Sequence, residues 1–202
     1  MDCVIRQGKI RYIRPECVFD VLRKLRLMID RGKVWRRRYF VVSFLFFTGA
    51  RVSEAIDTRR RDIRLAMKEI TLTSLKKRKK KEGIRDVRTI PLDHVPTEVL
   101  EFWEKYLTGM DDYDRVIPMT RQGVHKLVKE TFEKFGIKKV HPHLLRHAIG
   151  IWLAQNGIYE TVIADFLGHA DTRITSIYTR ITGRHLRLML SKLREPKLNN
   201  YL

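Results

Sequence analysis

Cysteine is scarce in this sequence of 202 residues, which contains only Cys3 and Cys17. Two cysteines do not make the disulfide framework that stabilises small secreted domains, and their scarcity is typical of a reducing compartment. Long apolar runs are missing as well, because the longest, YFVVSFLFF at residues 39–47, is far shorter than the roughly 20 residues that span a bilayer. The N-terminus also lacks the basic and apolar segments of a signal peptide. These absences exclude a membrane-spanning or secreted protein and favour the cytoplasm.

Acidic residues are few relative to basic ones. The chain has 23 Asp and Glu residues against 42 Lys and Arg residues, which gives a net charge of +19 and a pI of about 10.3. Such an excess is larger than solubility requires and indicates a polyanionic partner. Nucleic acid is the leading candidate, and an anionic membrane surface is the alternative. Hydrophobic residues make up 44% of the chain, so it can bury a core and is not disordered by composition.

Apolar residues recur at helical spacing along most of the chain. The pattern predicts helices within residues 15–31, 35–47, 95–107, 120–136 and 141–157, and shorter ones near residues 161–167, 174–179 and 183–193. The second of these is apolar all round in its later part and should be buried. Residues 63–92 differ, because short segments rich in Ile, Leu, Val and Thr alternate with polar turns, which predicts a small antiparallel sheet with a lysine-rich loop. We therefore predict one domain that is mainly α with a small antiparallel β-sheet, an α+β fold.

Three histidines and an arginine lie close together in the segment HPHLLRH at residues 141–147. On a helix, His143, Arg146 and His147 project from roughly the same side, because they are three and four residues apart. Such a group suits phosphate chemistry without a metal, since arginine offers paired and permanently charged donors to phosphate oxygens. A zinc site is the alternative, but the metalloprotease pattern requires a glutamate where this sequence has Leu144. Neither cysteine has a paired ligand spacing, so we expect no metal.

Three sequence boxes follow one another along the chain. The first is FFTGARVSEA, in which a predicted buried helix ends in Thr-Gly and leads to an arginine and a glutamate. The second is HPHLLRH, and the third is LGH at residues 167–169, followed by a tyrosine nine residues later. Single boxes of this kind occur by chance, but all three in order, with a basic β-turn between the first and second, are a specific signal. Over residues 15–180 the chain resembles the tyrosine recombinases of the phage integrase family, which implies the integrase catalytic-domain fold.

The resemblance implies a mechanism of DNA strand cleavage and rejoining. Tyr178 would attack a backbone phosphate and form a 3′-phosphotyrosyl link, leaving a free 5′-hydroxyl. Arg51 and Arg146 would hold the non-bridging oxygens, and His169 would donate a further hydrogen bond to the same phosphate. Because the covalent intermediate conserves the bond energy, the resemblance implies neither a metal nor another cofactor.

The remaining residues of the implied site would move protons or support the first set. His143 would help to take the proton of the tyrosine, since an imidazole with an unperturbed pKa of about 6.5 can accept a proton at neutral pH. Lys76, from the turn between the second and third strands, would protonate the leaving 5′-oxygen, and Lys77 is the alternative donor. Glu54 and His147 would hold the arginines and histidines in place.

The basic residues form clusters, an arrangement that suits a surface wrapped around a duplex. The predicted DNA-contacting residues are Arg36, Arg37, Arg38, Arg59, Arg60, Arg61, Lys77, Lys79 and Lys80. Taken singly, each cluster is an ordinary solvated face or the edge of a strand, and only their sum indicates nucleic acid.

The resemblance also predicts how the chain is organised. Residues 1–14 would be a short basic N-terminal lead, residues 15–182 the catalytic domain, and residues 183–202 a C-terminal amphipathic helix and tail. Family members usually carry an N-terminal core-binding domain, which we expect to be absent here. The implied partner is double-stranded DNA, bound by a tetramer, in the cytoplasm of a prokaryotic cell at the nucleoid.

We therefore expect a site-specific DNA recombinase. The alternative from another class is a DNA-binding regulator that has the integrase fold and is catalytically silent. The complete set of implied catalytic residues argues against this alternative. A basic RNA-binding protein would explain the charge but not the spacing of the boxes.

Overall fold

The structure, a computed structural model, describes residues 2–7, 10–74, 86–168 and 190–191. Its helices are α1 (Pro15–Arg26), α2 (Lys33–Thr48), α3 (Val52–Asp57), α4 (Thr97–Leu107), α5 (Arg121–Lys134), α6 (Pro142–Gln155) and α7 (Glu160–Leu167). Its strands are β1 (Val4–Gln7), β2 (Ile10–Ile13), β3 (Ile63–Arg64), β4 (Glu69–Ser74) and β5 (Asp86–Pro91). The predicted α+β class is confirmed. The lysine-rich loop, the helix near residues 174–179 and most of the segment 183–202 lie outside the described residues. None of the helices in the described ranges is both long enough and apolar enough to cross a bilayer.

Helix α2 lies at the centre of the core. Every residue from position 38 to its end at Thr48 is buried, as expected for a helix that is apolar all round. The hydroxyl of Ser43 accepts a hydrogen bond from the indole Nε1 of Trp103 at 2.9 Å, so this polar residue is also satisfied in the core. The helix ends at Gly49, whose φ of 58° lies in the left-handed region that glycine adopts at low cost. The turn that follows brings Arg51 to the start of α3.

Strands β3, β4 and β5 form the predicted antiparallel sheet, in that order. Strand β4 pairs with β5 along its whole length, with Ile70 opposite Ile90 and Leu72 opposite Arg88. Because side chains alternate across a strand, these four residues share one face of the sheet. The three apolar residues among them are fully buried. Arg88 is therefore on the core-facing side of β5.

The first residues of the chain form a β-hairpin, where the sequence indicated only a basic lead. Strands β1 and β2 pair antiparallel, and β2 packs against α6 with Ile13 fully buried. The hairpin brings Cys3 next to the first turn of α1, where the backbone N–H of Arg14 donates to the Cys3 carbonyl oxygen at 2.9 Å. Cys3 and Cys17 are joined by a disulfide, with their Cα atoms 5.8 Å apart. Cysteine usage gave no reason to expect this disulfide, which forms because the hairpin brings Cys3 next to Cys17 of α1.

Candidate functional site

Arg51 lies at the start of α3, directly after the turn that ends α2. Its backbone N–H donates to Oε2 of Glu54 and its Nη1 donates to Oε1 of Glu54, both at 2.8 Å. Its Nη2 donates to the carbonyl oxygen of Gly168, also at 2.8 Å. Gly168 follows the last residue of α7. The Arg51 guanidinium is thus held between α3 and α7, with 20% of its side chain exposed.

Arg146 projects from α6 toward the same place and is 4% exposed. Its Nη1 donates to the carbonyl oxygen of Gly49, and its Nη2 donates to the carbonyl oxygen of Leu167. These carbonyls lie at the C-terminal ends of α2 and α7. One buried guanidinium therefore joins three helices. The structure brings the two predicted phosphate-holding arginines, Arg51 and Arg146, to the same turn at residues 167–168.

Arg88 of β5 belongs to the same cluster and was not predicted. Its Nη1 and Nη2 donate to the two carboxylate oxygens of Glu54 at 2.9 and 2.8 Å, and its Nε donates to the Phe166 carbonyl at 3.2 Å. A Cβ placed on Gly168 would lie 2.8 Å from Nη1 of Arg88, so Arg88 also bounds the turn after α7. The strand pattern contained a signal for this role. Arg88 and Ile90 are two residues apart, so both face the core, where a charged side chain requires a buried partner.

Arg51, Arg88, Arg146 and Glu54 together carry a surplus of positive charge, and we call them the arginine cluster. Burial raises the pKa of Glu54, but hydrogen bonds and charge from Arg88, with hydrogen bonds from Arg51, outweigh it and lower that pKa to about 2. Burial, followed by the charges of Arg51 and Arg88, lowers the pKa of Arg146 to about 9, so this guanidinium stays charged at neutral pH. Three cations thus surround one carboxylate. Such a site attracts a further anion, and its planar donors suit the oxygens of a phosphate.

His143 and His147 lie near the start of α6, and both are exposed. Partial burial, followed by the charge of Arg146, lowers the pKa of each ring below its ordinary value. The lowered pKa favours the neutral ring, the state in which an imidazole accepts a proton. Among the described residues, His147 has no hydrogen-bond partner that would make it a support for the arginines. No group of three or more His, Cys, Asp or Glu side chains in these ranges is arranged to hold a metal ion.

Six of the predicted residues lie outside the part of the chain that the structure describes. They are Lys76, Lys77, Lys79, Lys80, His169 and Tyr178. Their places in the site stay predictions. The last described residue before His169 is Gly168, which contacts the arginine cluster.

Arg38 was predicted to contact DNA, but its guanidinium is engaged within the protein. The residue is 9% exposed, its Nη1 donates to the hydroxyl of Thr131 at 2.7 Å, and its Nη2 forms an ion pair with Glu130 at 3.2 Å. Its guanidinium joins α2 to α5 inside the protein. The neighbouring Arg36 and Arg37 are exposed, but they lie near the end of α2 that is remote from the arginine cluster, about 18 Å away at a rise of about 1.5 Å per residue. Their contact with DNA stays a prediction.

The second predicted basic group, at residues 59–61, follows α3 and is partly engaged within the protein. Nη1 of Arg59 donates to the Tyr113 carbonyl at 3.4 Å, and Nη1 of Arg60 donates to the Ile63 carbonyl at 3.0 Å. Arg61 is exposed, with its guanidinium carbon 4.6 Å from the centre of the Tyr113 ring. Each of these guanidinium groups has further N–H donors, so DNA contact by this group also stays a prediction.

Comparison with known proteins assigns the chain to a family. The family model of the phage integrase family matches residues 19–185. The tyrosine recombinase XerA of Pyrococcus furiosus is 32% identical over 197 residues, a match that covers 91% of this chain and 63% of that protein. The crystal structure of a XerA recombinase has a TM-score of 0.63 at 25% identity and is matched over 94% of this chain and 68% of its own. The integrase of transposon Tn1549, in complex with a circular intermediate DNA, has a TM-score of 0.60 at 19% identity, over 82% of this chain and 60% of its own.

These matches agree with the geometry of the described core. This chain spans less than two thirds of the length of the XerA protein that it matches. The family match includes α2, α3, the sheet, α6 and α7, the elements that build the arginine cluster. The chain therefore belongs to the phage integrase family, the family of the tyrosine recombinases, and has the fold of these proteins.

Proposed function

We propose that this protein is a site-specific DNA recombinase that cleaves and rejoins strands through a 3′-phosphotyrosyl intermediate. The observation that carries the proposal is the convergence of Arg51 and Arg146 on the turn at residues 167–168, inside a cluster of three guanidinium groups and one carboxylate. This arrangement suits a phosphate, and Tyr178 follows Gly168 by ten residues in the sequence.

In the proposed reaction, a phosphate ester of the DNA backbone is exchanged for a phosphate ester of tyrosine. Oη of Tyr178 attacks the phosphorus, and its proton passes to His143. The bond between Oη and phosphorus forms as the bond to the 5′-oxygen breaks, and that oxygen takes a proton from Lys76 and leaves as a hydroxyl. Attack by the 5′-hydroxyl of a second strand reverses these steps, rejoins the DNA and frees Tyr178. The bond energy is conserved throughout, so the reaction requires no nucleotide.

Arg51 and Arg146 would stabilise the transition state, in which negative charge grows on the non-bridging oxygens of the phosphate. Their hydrogen bonds to backbone carbonyls fix both guanidinium groups before the DNA binds. Each arginine has five N–H donors, so both can donate to the phosphate as well. Removing one such preorganised donor from an active site typically raises the barrier by about 3–4 kcal/mol.

We propose double-stranded DNA as the substrate and a tetramer as the working assembly. The net charge of +19 supports a polyanionic substrate, and the Tn1549 integrase, which shares this fold, was solved with DNA. A synapse joins two duplexes and exchanges four strands, which requires four nucleophiles when each protomer supplies one. The reaction would take place where the DNA is, in the cytoplasm of a prokaryotic cell.

The test requires no knowledge of the target sequence. The protein is incubated with supercoiled plasmid in EDTA, the reaction is stopped with SDS, and plasmid relaxation and protein–DNA adduct are measured. Tyr178→Phe is compared with Tyr159→Phe, a matched control because Tyr159 is 69% exposed. We expect relaxation and adduct with the wild type and the control, and neither with Tyr178→Phe.

Other results would contradict the proposal in distinct ways. Adduct in Tyr178→Phe would mean that another residue is the nucleophile. Plasmid that is bound by the wild type but neither relaxed nor linked would argue against the enzyme and in favour of a catalytically silent DNA-binding regulator.

A further inference from the structure

A basic cavity lies beside the N-terminal hairpin of β1 and β2, outside the arginine cluster. Its volume is about 500 Å³. One wall contains Arg11 of β2 and residues 2–5, and the other is the turn between α5 and α6 with Lys138 and Lys139. Among the described lining residues, the acidic one is Asp2. Three cations and one carboxylate of the described residues therefore line this cavity, the same charge balance as in the arginine cluster.

The three cations of the cavity form no ion pair with the described residues. In the described ranges, no carboxylate oxygen lies within 4.0 Å of the charged nitrogens of Arg11, Lys138 or Lys139. Arg38 and Arg88, by contrast, form ion pairs with Glu130 and Glu54. Unpaired cations that line one concave surface add their potentials and attract an anion from outside the protein.

Both walls of the cavity are held in place. The disulfide between Cys3 and Cys17 fixes the residue before β1 to α1, and β2 packs against α6. On the opposite wall, Lys139 has a φ of 63°, in the left-handed region that residues with a side chain seldom adopt. Its side chain is exposed. Backbone conformations of this kind persist where the surroundings enforce them, and they are concentrated at functional sites.

The cavity and the arginine cluster lie along the same half of α6. The turn with Lys139 leads directly into this helix, and Arg146 lies one turn beyond its first residue, about 6 Å along the axis. Burial lowers the pKa of His141, followed by the neighbouring His143 and His125 and then by Arg11. Arg11 therefore lies near the residue that precedes α6.

We propose that the cavity binds a backbone phosphate of the same DNA whose cleaved phosphate would lie at Arg51 and Arg146. The inference rests on the proposed function for its substrate, DNA, but it assigns a separate site that takes no part in the chemistry. The hairpin wall precedes residues 19–185, so the family match does not account for it. A duplex bound across α6 presents many phosphates, and the cavity would fix the orientation of the protein on the duplex without reading its sequence.

The test compares two variants that each remove three positive charges from exposed side chains. The cavity variant is Arg11→Gln, Lys138→Gln and Lys139→Gln. The control variant is Arg31→Gln, Lys33→Gln and Lys105→Gln. The control residues lie near the end of α2 that is remote from the arginine cluster, or on α4. Thermal melting checks that both variants are folded, and Lys138→Gln with Lys139→Gln replaces the triple variant if that variant does not fold.

Binding of a fluorescent duplex of about 40 base pairs is measured by anisotropy between about 50 and 300 mM salt. One phosphate contact contributes about 0.9 to the slope of log K against log salt concentration. We expect the cavity variant to lose about one unit of slope and to bind roughly eightfold more weakly at about 100 mM salt. The control should retain the wild-type slope within about 0.3.

The outcomes separate this inference from the proposed function. An unchanged slope in the cavity variant, or equal losses in both variants, would overturn the assigned site, because net charge alone would then explain binding. A selective loss of slope in the cavity variant would support the site, even if the wild type formed no adduct with plasmid and the proposed enzyme failed. Absence of any DNA binding by the wild type would overturn both.

Discussion

Arg88→Met is expected to lower the free energy of unfolding by about 3 kcal/mol at neutral pH. The substitution keeps an unbranched side chain and removes the guanidinium that donates to both carboxylate oxygens of Glu54. The side chain of Glu54 is 0% exposed, so water does not replace the lost donors. Breaking a buried ion pair from one side costs about 3–5 kcal/mol. The pKa of Glu54, about 2 instead of 4.5, corresponds to a stabilisation of about 3 kcal/mol from all its partners together.

The pH dependence of the loss in unfolding free energy shows whether the charge of Glu54 causes it. Because the folded-state pKa of Glu54 is lowered, the stability that its charge contributes is present above about pH 4.5 and is lost as the pH falls toward 2. The difference in unfolding free energy between the wild type and Arg88→Met should therefore shrink over this window. Urea unfolding followed by circular dichroism at about pH 7, 5 and 3 measures this difference, and a double-mutant cycle with Glu54→Gln isolates the pair.

Arg64→Met is the matched control for this experiment. Arg64 pairs with Glu69 at 3.1 Å, but the two side chains are 48% and 26% exposed. Exposed pairs of this kind contribute about 0–1 kcal/mol. The reasoning would be refuted if Arg88→Met cost no more than this control at neutral pH, or if its cost were the same at about pH 7 and pH 3.

Three further predictions concern stability and DNA contact. Cys3→Ser should lower the unfolding free energy by about 3 kcal/mol, because the disulfide closes a loop between residues 14 apart. In urea unfolding, the wild type with reductant should have the same unfolding free energy as the variant. Gly168→Ala should lower the unfolding free energy by about 1–3 kcal/mol and reduce adduct formation, because φ of Gly168 is 62° and a Cβ would contact Arg88. Gly157→Ala is the control, since Gly157 has a φ of 79° but open space around it, so this variant measures the cost of the backbone conformation alone. Arg38→Met should lower the melting temperature but leave the salt dependence of DNA binding unchanged, and a reduced salt slope would restore its predicted DNA contact.

The core of the fold could be predicted because the relevant signals are local. The apolar run from Tyr39 onward and the glycine at position 49 define the buried helix and the turn that ends it. The alternation of apolar residues around Ile70 and Ile90 defines two of the three strands. Arg51 follows the turn directly, so a prediction of the turn already positioned this residue.

The features that could not be predicted from the sequence depend on partners that are distant in the sequence. Arg38 belongs to a run of three arginines that are identical by composition, yet its partner Glu130 is 92 residues away. Arg88 and Glu54 are 34 residues apart, and neither residue identifies the other by spacing. The disulfide of Cys3 depends on a short hairpin that packs against α6, and an isolated two-stranded hairpin is marginal in water.

The buried position of Arg146 has a consequence for the lifetime of the protein. Within the described residues no carboxylate lies within 4.0 Å of its guanidinium. It donates instead to the C-terminal ends of α2 and α7, each equivalent to about half a negative charge. A bound oxyanion would reduce the repulsion among the three guanidinium groups, so the folded state and the DNA complex depend on the same charges. By mass action, a ligand that binds only the folded state protects it from unfolding. With DNA bound as proposed, the protein would resist heat and proteases better than the free protein does. Its degradation would then begin after the DNA dissociates.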